Sequence, residues 1–350
     1  MERSANPPEN TPAERFLVLD GLRGIAALIV LRAHYDAMLG QKGVFRFGYL
    51  AVDFFFLLSG FVLVPIFESP TRWNGFARGI GARILRFWPM IAVGSMLGAA
   101  VHLLRWPPDL VLPFLAMGLL CLPFGFGGHQ WFSLNLPQWS LFVELVANAL
   151  HLLVLRRLPS PVLAAIAVAC GVVLATTGRL VPFLDGTTGD LVLGLLRAGC
   201  AYPLGVILGR ERGRLMMLPK VGWWAAPLAF LAAILVPPLL PLPDLLAEQL
   251  ACLAFPAILI MGVAATVPER RVPTMTWLGM ISFPLYATHF PLIEGVGLYA
   301  RELPGPYRTP LVIATLVLAV FLADRLGRSS LASGLRWPAR RTIVAGAMAR

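Results

Sequence analysis

Leu17–Leu39 reads LVLDGLRGIAALIVLRAHYDAML. Its length and apolar content are those of a membrane-spanning helix, yet it carries Asp20, Arg23, Arg32, His34 and Asp36. Ionisable groups inside a span are costly and mark functional sites by default. Arg23 and His34 are eleven residues apart. At about 100° per residue that spacing puts both on one helix face, separated by about 16 Å along the axis. One helix can thus hold a fixed cation in one half of the bilayer and a titratable imidazole in the other.

The rest of the chain supplies the surroundings of that face. Of its 350 residues 58% are hydrophobic and only 13% charged, with mean hydropathy +0.76. Soluble domains carry about 25% charged residues, so the composition indicates an all-α polytopic membrane protein. The net charge of +11 does not indicate nucleic-acid binding. The basic residues sit in short loops between apolar runs, as inside-positive topology requires, and their natural partner is the acidic face of the lipid bilayer. Cys121, Cys170, Cys200 and Cys252 lie in apolar stretches without CxxC spacing and read as filler. No His/Cys/Asp/Glu cluster has metal-ligand spacing, so no bound metal or cofactor is expected.

Apolar stretches fall at about 17–38, 49–67, 88–104, 109–124, 138–155, 160–178, 187–208, 222–239, 246–266, 275–298 and 309–325. The segment 109–124 is short and proline-flanked. If all eleven stretches cross from a cytoplasmic N-terminus, 9 Lys/Arg lie inside and 17 outside; if 109–124 is re-entrant, 20 lie inside and 6 outside. The second arrangement satisfies the positive-inside rule. It gives ten transmembrane helices with both termini cytoplasmic, flanked by a disordered tail at 1–14 and a basic tail at 326–350. Non-helical backbone at membrane depth needs protein or a watery cavity around it, which points to a cavity on the outer side.

Several further residues could carry chemistry. Asp53, one turn into GYLAVDFFFLLSGF (Gly48–Phe61), is either functional or a carboxylate favoured by the helix N-terminus. Arg83 and Arg86 in FARGIGARILRFWP share a helix face and stand where a helix N-terminus would attract anions, so they suit a phosphate site or simply set topology. Glu144 is a carboxylate in an apolar helix and needs a partner or a proton. His34 is the attractive partner if both enter from the outer half; otherwise Glu144 ties two helices together. Ser282, Tyr286 and His289 recur at i, i+4, i+7, a polar stripe facing the bundle interior. An anion site inside and a His/Glu pair deeper in suit a phosphate-bearing donor and proton abstraction from an acceptor. On physical grounds alone a transporter or exporter of a glycan or lipid-linked intermediate fits equally well, and so does a sensor.

Taken together, these stretches resemble the acyltransferase-3 family of integral membrane O-acyltransferases, over about residues 15–325. The carriers are Asp20-Gly21-Leu22-Arg23-Gly24 with His34, AVDFFFLLSGF at Ala51–Phe61, Arg83 and Arg86 before Pro89, Trp139-Ser140-Leu141 with Glu144, and Ser282, Leu285-Tyr286 and His289. Met90 stands where many members have tyrosine. The resemblance implies a cytoplasmic acyl-CoA co-substrate held by Arg83 and Arg86, with Arg23 on its path. It also implies an acyl group, acetyl by default, passed to a carbohydrate or glycolipid hydroxyl, and His34 as essential, here read with Glu144 as its partner. It implies a plasma-membrane domain, here without the SGNH-type extracellular domain that many members carry at the C-terminus.

Overall fold

The computed structural model describes residues 16–40, 44–69, 75–125, 129–177, 188–300, 303, 305–329 and 331. The tail 1–14, most of the tail 326–350 and the stretch 179–186 lie outside them. The chain forms α1 (Leu17–Met38), α2 (Ala51–Phe67), α3 (Phe76–His102), α4 (Pro108–Leu119), α5 (Gln138–Leu153) and α6 (Ser160–Thr177). There follow α7 (Thr188–Arg210), the short α8 (Arg212–Met216), α9 (Ala225–Leu235), α10 (Asp244–Ala264), α11 (Val272–Ala300) and α12 (Gly305–Arg328). Two-residue strands β1 (Val221–Gly222) and β2 (Ala265–Thr266) pair in parallel. Among the described residues, seven helices (α2, α3, α5, α6, α7, α10 and α12) are long and apolar enough to cross a membrane, making this an all-α multi-pass membrane protein.

Two seams organise the bundle. α1 lies along α11 in parallel, from Gly21 against Met275 to Met38 against Gly297. A Cβ at Gly24 would stand 2.5 Å from the Leu278 carbonyl oxygen, so a hydrogen is all this crossing admits. α2 lies along α7, also in parallel, where Gly205 abuts the Leu57 carbonyl and Gly209 abuts Val64. Small residues at such crossings let backbones pack closely where lipid offers no hydrophobic drive for association. Asp53 joins this second seam: its carboxylate takes both Nε–H (3.0 Å) and Nη2–H of Arg197, and both residues are buried. Removing one member of a buried pair costs about 3–5 kcal/mol. Asp53 stands in the first turn of α2, where the helix N-terminus favours a carboxylate, and through Arg197 it also joins α2 to α7.

Helix direction alternates along the chain. With the start of α1 as the inner end, α1, α3, α6, α9 and α11 run outward. α2, α5, α7, α10 and α12 run back, as their contacts from Gly21–Met275 to Gly327–Met280 require. α4 does not cross. Its 12 residues measure about 18 Å against a hydrocarbon core of about 30 Å. It descends beside α3 until the Trp88 indole N–H donates to the Leu119 carbonyl (3.1 Å). The chain turns at Cys121 (φ +54°) and returns to the outer end, where His129 packs on Trp106 with centroids 4.4 Å apart. It then dips again: Asn135 Nδ2 donates to the Ala287 carbonyl (2.8 Å) and Gln138 Nε2 to Ser95 Oγ (2.9 Å). Consequently α5 starts beside Ser95, well below the outer end of α3.

One boundary is corrected. The helix expected from the apolar stretch 88–104 starts earlier: 76–87 is the first three turns of α3. Gly75 (φ +88°) starts the helix, and Pro89 interrupts the backbone ladder without ending it.

Candidate active site

The parallel seam of α1 and α11 brings His34 and His289 together. Their rings are near parallel with centroids 5.1 Å apart, and His34 Nδ1 lies 2.9 Å from His289 Nε2. The hydrogen-bond network assigns the protons. His289 Nδ1 faces the carbonyl oxygens of Tyr286 (2.9 Å) and Leu285 (3.1 Å), which only accept. Nδ1 therefore carries the hydrogen, and in a neutral imidazole Nε2 is then the acceptor. The hydrogen bond between the rings is donated by His34 Nδ1, which leaves the His34 Nε2 lone pair as the outward end of the chain. A fixed tautomer with a free lone pair is what a general base needs. His289 is fully buried, while His34 is partly exposed beneath the edge of Phe290 (centroids 5.5 Å apart).

The polar stripe on α11 faces inward. Ser282 donates to its own helix at the Gly279 carbonyl (2.8 Å), and the Tyr286 hydroxyl meets Ser140 Oγ (2.6 Å). Tyr286 and Ser140 thereby anchor the start of α5 to α11.

Glu144 does not pair with His34. Its Oε1 accepts from Arg83 Nη2 (2.8 Å) and Ser59 Oγ (2.7 Å). The pairing expected from sequence placed the start of α5 at the membrane surface. The dipping 129–137 loop lowers the helix, so Glu144 reaches the inner half. Nor do Arg83 and Arg86 stand at a helix N-terminus: α3 begins at Phe76, and both lie inside its hydrogen-bonded ladder. Their anion-binding capacity rests on side chains alone. Arg83, Arg86 and Arg23 are within electrostatic reach of one another, with Glu144 and Asp20 as counter-charges. Three guanidiniums thus face two carboxylates. Arg83 Nε and Arg86 Nε are buried and find no acceptor among the described residues. An unmatched buried donor costs about 1–3 kcal/mol unless an incoming acceptor satisfies it.

Below this cluster lies a second polar network. His151 bonds Glu68 (3.1 Å) and the Tyr202 hydroxyl (3.0 Å), which donates to Asn148; Arg210 clamps Glu68 (2.9 Å) and the carbonyls of Leu155 and Leu158. It ties α2, α5 and α7 at their inner ends. Arg210 and Glu68 carry no local motif, so nothing short-range marks them.

The acyltransferase domain family matches residues 16–324, a range that contains every residue of this site. A Rhizobium radiobacter protein described as "Protein 2 in picA locus" is 36% identical over 161 residues, covering 40% of this chain and 83% of that protein. No solved structure matches. With the family match extending over nearly the whole helical bundle, this chain belongs to the acyltransferase-3 family and is a multi-pass membrane O-acyltransferase.

Proposed function

We propose that the protein moves an acetyl group from cytoplasmic acetyl-CoA to a hydroxyl of a carbohydrate acceptor reached from the outer side of the plasma membrane. The proposed topology is ten spans with α4 re-entrant and both termini cytoplasmic, which keeps 20 Lys/Arg inside and 6 outside. The observation that carries the reading is the hydrogen-bond chain from the Tyr286 carbonyl through His289 to His34, which leaves the His34 Nε2 lone pair without a partner among the described residues.

The donor's phosphates are assigned to Arg83, Arg86 and Arg23, the group with two unmatched buried N–H donors. Guanidiniums suit phosphate because their fork of donors matches its oxygens. His34 lies about 16 Å from Arg23 along α1, a separation for the pantetheine arm to bridge. In the step, the acceptor oxygen attacks the thioester carbonyl, and its proton passes to His34 Nε2. The carbon–sulfur bond then breaks, the proton goes to the departing thiolate, and free CoA and an ester result. Glu144 is a positioning residue: it holds Arg83 in place. Asp53, Ser282 and Tyr286 position helices around the path.

Mass spectrometry of surface glycans tests the reading. Cells lacking the gene are expected to lose an acetyl-bearing glycan that returns with the native gene and not with His34→Ala. Unchanged acylation of surface glycans and glycolipids without the gene contradicts it.

A further inference from the structure

Sequence spacing gave no role to His102, His129 or Glu294, and the fold brings all three to one cavity. It lies between the outer end of α3, the 129–136 loop and α11, and has a volume of about 250 Å³. Trp106 forms one wall, with the rings of His102 (4.3 Å) and His129 (4.4 Å) tilted against it. Gln130, Ser133 and Glu294 present polar groups, and Phe290 closes the side toward the active site. His102 Nδ1–H donates to the Gly98 carbonyl (2.9 Å), which turns its Nε2 toward Glu294 Oε1 at 3.5 Å. The second oxygen, Glu294 Oε2, is buried and accepts no hydrogen bond among the described residues. Phe290 also meets the His34 ring edge-on, so one side chain touches both cavity and base.

We infer that this cavity binds a sugar ring of the acceptor. A pyranose has apolar C–H faces and a rim of hydroxyls. The Trp106 indole offers a flat apolar surface with a polar edge, and Glu294 Oε2 offers a strong acceptor for a hydroxyl. Concave sites of this kind, mainly aromatic with a few convergent polar groups, are how proteins hold small polar ligands. The inference rests on the proposed carbohydrate acceptor and assigns it a place. The bound hydroxyl passes Phe290 to reach His34.

The test does not require the donor. Ser133→Cys places a thiol on the cavity wall, and a membrane-impermeant maleimide is applied to intact cells, with the native chain as control. Methyl glycosides of glucose, galactose and N-acetylglucosamine serve as probes. We expect labelling of Ser133→Cys to slow at least about threefold with one or more glycosides, and this protection to disappear when Trp106→Ala or Glu294→Gln is added. Labelling unaffected by every glycoside overturns the inference, as does no labelling from outside. Acetyl-CoA binding to the same membranes is measured in parallel. Lost sugar protection with retained donor binding removes this cavity assignment alone. Absent donor binding by the native chain removes the donor reading and leaves the cavity result standing.

Discussion

The two ends of α1 solve opposite problems. At the inner end Arg23, Arg83 and Arg86 gather around Glu144 and Asp20, and the arrangement is electrostatic, with buried N–H donors left unmatched. Toward the outer end His34 and His289 form a neutral relay in which each proton has an assigned place. Excess cation inside the bundle suits an anion that arrives from water and must be held. A neutral lone pair suits a proton that must be moved and returned. One helix joins the two, and its parallel packing on α11 fixes their separation.

Mutations at the two ends should therefore separate. The largest effect is expected from His34→Ala, which removes the base. Transfer should fall by about 10²–10⁴-fold, with protein level and acetyl-CoA binding near native in a membrane binding assay. His289→Ala leaves His34 free to adopt the other tautomer. A loss of about 10–100-fold in rate, with donor affinity unchanged, is expected by analogy with outer-shell histidine partners. Equal donor weakening in either variant would merge the two regions and break the comparison.

The inner end should show the reverse pattern. Arg86→Ala is expected to raise the apparent Kd for acetyl-CoA by about tenfold, the worth of one charge-assisted contact, while rate at saturating donor changes little. Arg83→Ala also strands Glu144, so its thermal stability should drop as well, by up to about 3–5 kcal/mol. Adding Glu144→Gln should recover part of that stability and none of the donor affinity. If Glu144→Gln alone abolished transfer as His34→Ala does, the carboxylate would belong to the base after all.

The smallest effect concerns the seam. Gly24→Ala forces a methyl against the Leu278 carbonyl and should cost about 1–3 kcal/mol of stability, with residual transfer proportional to folded protein. Loss of transfer well beyond loss of folded protein would show that the α1–α11 spacing also sets the His34–His289 geometry.

Much of this was legible in the sequence, because its signals are short-range or compositional. The apolar runs point to the helices, and the segment 109–124 is marked as short before α4 is seen to span only 12 residues. The i, i+4, i+7 stripe on α11 pointed Ser282, Tyr286 and His289 inward, where the structure buries them. What was misread depended on depth. Glu144 was paired with His34 because α5 was placed at the surface, and only the 129–137 loop, with Asn135 bonded to the Ala287 carbonyl, shows the helix to be sunk. The sequence contains no local feature that sets this depth. Arg197 belongs to no local motif, and its partner Asp53 lies 144 residues earlier. Trp106 and Glu294 line one cavity from distant parts of the chain, beyond the reach of any motif.

The most direct test of a path from inner donor to outer base uses inside-out vesicles carrying native acceptor, with labelled acetyl-CoA supplied only at the cytoplasmic face. We expect label on the acceptor within the lumen for the native chain. With His34→Ala we expect almost none, although the labelled donor still binds. Acceptor labelling by His34→Ala at near the native rate would contradict the central claim.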